Sequence, residues 1–177
     1  YLPNILAQVQ FNEESILLGL DNSCYGIGSL GGGISFFDFD KDGWDDITVS
    51  SEEVEPVKFY NNINGYFSQI DFGIEDELFE TKTVQWIDFD NDNDYDLFIT
   101  SNSDSNVLFE NLGNMVFDNI TISSGLNLNN NSNFGSSWGD YDKDGLLDVF
   151  ICSRGNLGDD IQNYLYHNNG DGTFTIV

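Results

Sequence analysis

Asp140-Tyr141-Asp142-Lys143-Asp144-Gly145-Leu146-Leu147-Asp148 places carboxylates at the first, third, fifth and ninth positions of a nine-residue stretch, with glycine at the sixth. A hard divalent cation such as Ca²⁺ needs several oxygen ligands at this kind of spacing, and the glycine falls where the chain must turn sharply. The pattern recurs. Asp38-Phe39-Asp40-Lys41-Asp42-Gly43-Trp44-Asp45-Asp46 repeats it in full, and Asp88-Phe89-Asp90-Asn91-Asp92-Asn93-Asp94-Tyr95-Asp96 repeats it with Asn93 in the glycine slot. Asn is the ordinary substitute there, because its short polar side chain tolerates a left-handed backbone.

The first aspartates of successive stretches are 50 and 52 positions apart, and a second signal keeps step with them. Asn61-Asn62-Ile63-Asn64-Gly65-Tyr66-Phe67, Asn111-Leu112-Gly113-Asn114-Met115-Val116-Phe117 and Asn168-Asn169-Gly170-Asp171-Gly172-Thr173-Phe174 are polar turns closed by an aromatic. The Asn-Gly and Asp-Gly pairs of the first and third supply the positive φ angles that hairpins require. Each unit reads as four strands. One enters the acidic loop (Gly33 to Phe37, Val84 to Ile87, Ser136 to Gly139), and an apolar strand leaves it (Ile47 to Val49, Leu97 to Ile99, Leu147 to Ile151). A third leads into the Asn/Gly turn, and a fourth starts near the closing Phe. Near-continuous apolar runs such as the second strands imply cover on both faces. Four strands in about 40 to 50 residues is the size of a propeller blade, so the fold class expected is all-β, with β-propeller blades of four antiparallel strands. The units are 33–82, 83–133 and 134–177, preceded by a closing strand and connector over 9–32, with Val9 to Glu13 as the strand. Gly19-Leu20 after it resembles Gly125-Leu126 after Phe117. Three blades are fewer than the usual four to eight, which points to part of a larger propeller.

An EF-hand also starts with acids at positions 1, 3 and 5 and glycine at 6, but it needs a bidentate Glu at position 12 and flanking helices. Position 12 here is Val49, Ile99 and Ile151, each in a strand-like run, which excludes that reading. What remains is a loop between two strands. The expected ligands are Asp38, Asp40, Asp42 and Asp46 in the first loop, Asp88, Asp90, Asp92 and Asp96 in the second, and Asp140, Asp142, Asp144 and Asp148 in the third. The main-chain carbonyl of position 7 (Trp44, Asp94, Leu146) joins them, for about three Ca²⁺ in all. Four carboxylates in one loop repel one another without an ion. Affinity in the range of extracellular modules, about 10⁻⁴ to 10⁻³ M, follows.

The two motifs in register resemble the FG-GAP or VCBS repeats of integrin α-subunit propellers and secreted bacterial proteins. Phe134-Gly135-Ser136-Ser137-Trp138-Gly139-Asp140-Tyr141-Asp142-Lys143-Asp144-Gly145 and the stretch from Leu165 to Phe174 are similar to the cartilage-acidic-protein and UnbV-like branch. The resemblance covers about Val9 to Val177. It implies one Ca²⁺ per loop, between the first two strands of each blade, with all loops on one face of the propeller.

Composition narrows the function. Five Lys and Arg against 31 Asp and Glu give a formal net charge of −26, which repels phosphate backbones and anionic membrane surfaces. Nucleic acid is excluded as a partner, and no apolar run is long enough to span a bilayer. Cys24 and Cys152 are too few for a disulfide scaffold and read as buried free thiols. Residues 1–8 fit the tail of a secretory signal peptide ending at the small residue Ala7. With the acidity and the calcium loops, this points to a secreted or cell-surface protein.

No catalytic constellation emerges. His167, the single histidine, occupies a repeat position read as equivalent to Tyr60 and Glu110, a variable strand residue. No G-x-S-x-G motif is present, and Gly31-Gly32-Gly33 reads as close backbone packing near the propeller axis. Trp86 and Trp138, two positions before their loops, are expected between blades, and Trp44 inside its loop reads either as packed against the neighbouring blade or as an exposed ligand contact. The expected function is a non-enzymatic, calcium-binding module for protein or glycan binding or adhesion. The alternative is a non-catalytic scaffold attached to an enzyme or anchoring domain.

Overall fold

An acidic loop that reverses the chain forces the strand before it and the strand after it to pair. In the computed structural model, which describes residues 12–20, 32–50, 56–74, 80–102, 105–126, 132–154 and 162–177, that pairing opens each of three four-stranded antiparallel sheets. The first holds β1 (Ile34–Phe37), β2 (Asp46–Val49), β3 (Lys58–Ile63) and β4 (Tyr66–Ile70). The second holds β5 (Thr81–Ile87), β6 (Asp96–Ser101), β7 (Val107–Asn111) and β8 (Phe117–Asn119), followed by the single helical turn α1 (Thr121–Ser124). The third holds β9 (Ser132–Gly139), β10 (Asp148–Arg154), β11 (Tyr164–Asn168) and β12 (Phe174–Ile176). Strands follow one another in chain order within each sheet, and β1, β5 and β9 lie side by side as the inner strands. These are β-propeller blades.

Register makes the repeats superimposable. Phe37 pairs with Asp46, Ile87 with Asp96 and Gly139 with Asp148, so each loop closes on its last aspartate. Ile47, Leu97 and Val149, one residue further on, face Tyr60, Phe109 and Tyr166. His167 therefore corresponds to Asn61 and Glu110, which corrects the equivalence with Tyr60. The first hairpin is out of step because β3 runs on to Ile63 and turns in two residues, Asn64 (φ 55°) and Gly65 (φ 88°), whereas β7 and β11 stop at their Asn.

Two apolar cores fill the spaces between sheets. Trp86, Leu97, Ile99 and Phe109 of the second sheet meet Phe39, Val57 and Phe59 of the first. Phe98 and Leu108, on the opposite face, meet Val149, Ile151, Tyr166 and Phe174 of the third, with Trp138 against the cluster. Every residue of β6 is buried, as its unbroken apolar run requires. In β10 the expectation of cover on both faces fails: Val149 and Ile151 are buried while Phe150 is exposed, because no described sheet lies beyond it. Trp86 packs at 4.9 Å from the Phe39 ring, and its indole N–H donates to Thr48 Oγ1 at 2.8 Å; Trp138 meets Phe98 edge-on at 5.2 Å. Both tryptophans thus pack between blades.

Of the proposed closing strand, Val9 to Phe11 lie outside the described residues, as do residues 1–8, Cys24 and Gly31. Asn12 and Glu13 are not in a strand. The later part of the segment does repeat. Leu18 N–H donates to Glu14 O and Gly19 N–H to Ile16 O, as Ser124 N–H donates to Ile120 O and Gly125 N–H to Ile122 O. Gly19 (φ 91°) and Gly125 (φ 81°) both sit against the carbonyl of a closing Phe, Phe67 and Phe174 respectively. A Cβ at Gly33 would lie 2.2 Å from Lys82 O in β5, so the inner strands touch backbone to backbone there.

Candidate metal centres

Two left-handed residues coil each acidic loop: Lys41, Asn91 and Lys143 at position 4 (φ 62°, 63° and 67°), then Gly43, Asn93 and Gly145 at position 6 (φ 94°, 71° and 93°). Asn93 accepts this conformation as its side chain allows. The coil brings alternate carboxylates inward. Ligand oxygens of Asp38, Asp40 and Asp42 lie within 4.8 Å of one another, as do those of Asp88, Asp90 and Asp96, and those of Asp140, Asp142 and Asp144. In the first and third loops the position-1 carboxylate accepts N–H groups of its own turn, from Gly43 to Asp38 Oδ2 and from Gly145 to Asp140 Oδ2, each at 3.0 Å. Asp88 Oδ1 in the second loop is buried without a hydrogen-bond partner. The amides of Trp44, Asp94 and Leu146 donate to Asp42, Asp92 and Asp144, which ties position 7 to position 5.

The ninth-position aspartates have a second occupation that the spacing did not reveal. Asp46, Asp96 and Asp148 are each 1% exposed. One oxygen of each accepts the amide of loop position 2 (Phe39, Phe89 and Tyr141, at 3.1, 3.2 and 3.1 Å). The other accepts the amide of an Asn at or next to the end of the third strand (Asn62, Asn111 and Asn168, at 2.8, 2.9 and 2.8 Å). That Asn side chain in turn donates to the position-8 carbonyl (Asp45, Tyr95, Leu147) and accepts from a turn glycine (Gly65, Gly113, Gly170). The two motifs are therefore one device: the Asn/Gly turn latches the acidic loop.

Burial acts against charge here. Desolvation pushes the Asp46 carboxyl up to about 6 and the Asp96 carboxyl up to about 7, despite the amides that favour ionisation, and loop carboxylates (Asp40 and Asp42, Asp90 and Asp92) add to the rise. Asp90 and Glu110 are raised as well, first by burial and then by neighbouring acids.

The residue before each latch Asn reaches the loop across the sheet, and sequence reading missed it. Asn61 Nδ2 donates to Asp40 Oδ2 at 2.7 Å, Glu110 feels Asp90 and Asp92, and His167 Nδ1 lies 3.4 Å from Asp142 Oδ2 and 3.3 Å from Asp148 Oδ1. Only the register, with Asn111 and Asn168 aligned on Asn62, exposes this position.

Neighbouring loops touch. Lys41 Nζ lies 4.5 Å over the Tyr95 ring, Asn91 Nδ2 donates to Gly145 O at 3.1 Å, and Asn168 Nδ2 donates to Phe89 O at 2.8 Å. The three acidic loops thus share one end of the stacked sheets. Trp44 is 44% exposed on its loop, and Cys152 is a free thiol, exposed on β10 where burial was expected.

A family model described as an FG-GAP-like repeat matches residues 88–151, from the first aspartate of the second loop to the middle of β10. This stretch is similar to an FG-GAP-like repeat. The match covers the whole second acidic loop, its latch Asn111 and the third loop, and the first loop shares with them the same register, dihedral pattern and latch. No curated protein matches the chain. The three loops offer oxygen donors clustered on one turn and ninth-position carboxylates already oriented by two amides, and the second adds a buried carboxylate oxygen without a partner. That donor chemistry fits a hard divalent cation. No helix among the described residues is long and apolar enough to cross a membrane.

Proposed function

We propose that this chain is a calcium-stabilised propeller module that works outside the cell, binds a protein or glycan partner and performs no catalysis. The observation that carries the reading is the threefold acidic loop, coiled by the same two left-handed residues and held by the same Asp–Asn latch, at one end of the sheets. Asp38, Asp40, Asp42 and Asp46, and their counterparts in the other loops, would hold Ca²⁺, with the carbonyls of Trp44, Asp94 and Leu146 completing each set. The ion would neutralise carboxylates that burial and mutual repulsion disfavour, and so stiffen the turn between the first two strands. A secreted setting is part of the proposal, since weak extracellular-type sites fill only where Ca²⁺ is plentiful, at about 10⁻⁴ to 10⁻³ M.

Titration calorimetry with Ca²⁺ tests this. About three equivalents are expected, falling by one in Asp142→Ala with the other two unchanged. No heat at millimolar Ca²⁺, or three equivalents retained in the variant, would refute the loop assignment. For the binding role, immobilised chain should retain a ligand from matrix or cell-surface extract in Ca²⁺ and release it in chelator.

A further inference from the structure

The strand residue that faces each loop differs between blades: an amide in the first (Asn61), a carboxyl in the second (Glu110) and an imidazole in the third (His167). Carboxylates, carbonyls and water suit Ca²⁺ and Mg²⁺, whereas imidazole nitrogen suits Zn²⁺ and its transition-metal neighbours. The third blade therefore has a different donor set.

His167 Nδ1 is closed off from solvent and makes no hydrogen bond, although Asp148 Oδ1 and Asp142 Oδ2 stand 3.3 and 3.4 Å away. Ligands about 2.0–2.2 Å from a tetrahedral Zn²⁺ lie roughly 3.3–3.6 Å apart, so these separations are those of two ligands on one such ion. The three donor atoms all fall within 4.8 Å of one another. They come from three elements, the third loop, β10 and β11, and backbone amides hold both carboxylates, with Asp144 N–H donating to Asp142 Oδ1 at 3.3 Å. The amides of Asn168 and Tyr141 fix the Asp148 carboxylate, and the Tyr141 ring stands edge-on to the imidazole at 6.2 Å. Side chains of Asp142 and His167 are 35% and 31% exposed, which leaves the fourth position of a three-ligand site open to water.

We propose that Asp142, Asp148 and His167 Nδ1 form a site for Zn²⁺ or a similar borderline cation, so that the third blade can also take a metal its siblings do not. The site shares Asp142 and Asp148 with the calcium reading of the third loop and goes beyond it through His167 Nδ1, which that reading does not use. Because His167 is the single histidine, its imidazole nitrogens give an unambiguous signal in the ¹⁵N-labelled whole chain. Titration with Zn²⁺ in millimolar Ca²⁺ should move the Nδ1 resonance, saturating at one equivalent. His167→Asn, which installs the residue of the first blade, and Asp142→Asn should each weaken Zn²⁺ binding by at least about tenfold, while circular dichroism and the melting temperature in chelator show both variants folded. A resonance change at Nε2 only, no change at all, or equal Zn²⁺ affinity in His167→Asn would overturn the proposal. The calcium reading fails separately, through absence of Ca²⁺ heat in the wild type, and a Zn²⁺-dependent Nδ1 shift in that case would leave this site standing.

Discussion

Asp46 and Asp96 are the residues whose chemistry is most altered by the fold. A carboxyl raised to about 6 or about 7 keeps its proton where an unfolded aspartate, near 3.9, has lost it. Between about pH 4 and pH 7 the ion-free fold therefore binds more protons than the unfolded chain, and this contribution to stability declines as pH rises through that window. In chelator, the urea midpoint of the wild type is expected to fall between pH 5 and pH 7.5, and saturating Ca²⁺ should abolish the fall; a midpoint that rises over that range in chelator would contradict it. Asp96→Asn leaves one acceptor for two amides, those of Phe89 and Asn111, so it should cost about 1–3 kcal/mol at pH 5 and flatten the pH profile. Equilibrium unfolding at the two pH values checks both effects.

The working element is the loop together with the hairpin that latches it. Spacing alone disclosed each half, because carboxylates at alternate positions and an Asn-Gly turn are local chemistry. Their connection was hidden: Asp148 and Asn168 are 20 residues apart, and only β10–β11 pairing brings the amide of one to the carboxylate of the other. The same distance concealed His167, since counting back from the turn misaligned the first hairpin by one residue. Asn168→Ala would strand the Leu147 and Phe89 carbonyls and the Gly170 amide. A loss of about 1–3 kcal/mol in urea unfolding is expected, with Ca²⁺ affinity at the third loop weakened about 10- to 100-fold in calorimetry. Unchanged affinity would show that the latch does not orient the ligands. Asn93→Gly, at φ 71°, removes side-chain strain and should leave stability within about 1 kcal/mol of wild type or raise it.

At the scale of the whole molecule, stability comes from blade against blade. Phe36, Trp86 and Trp138 occupy one repeat position, opposite Ile47, Leu97 and Val149. Trp86 is 7% exposed between sheets, whereas Phe36 is 60% exposed, since no described sheet faces it. Trp86→Ala should therefore cost about 3–5 kcal/mol, and Phe36→Ala within about 0.5 kcal/mol, both read from urea midpoints; equal costs would mean that the burial pattern is wrong. The amino-acid sequence by itself determined the repeat, its four strands, the acidic loops and their left-handed turns, because each depends on residues close along the chain. Only the tertiary structure decided which copy of a repeated position is buried, which carboxylates are desolvated and which strand residue faces each loop. Those properties belong to surfaces made when one sheet meets another, and no spacing along a single unit can express them.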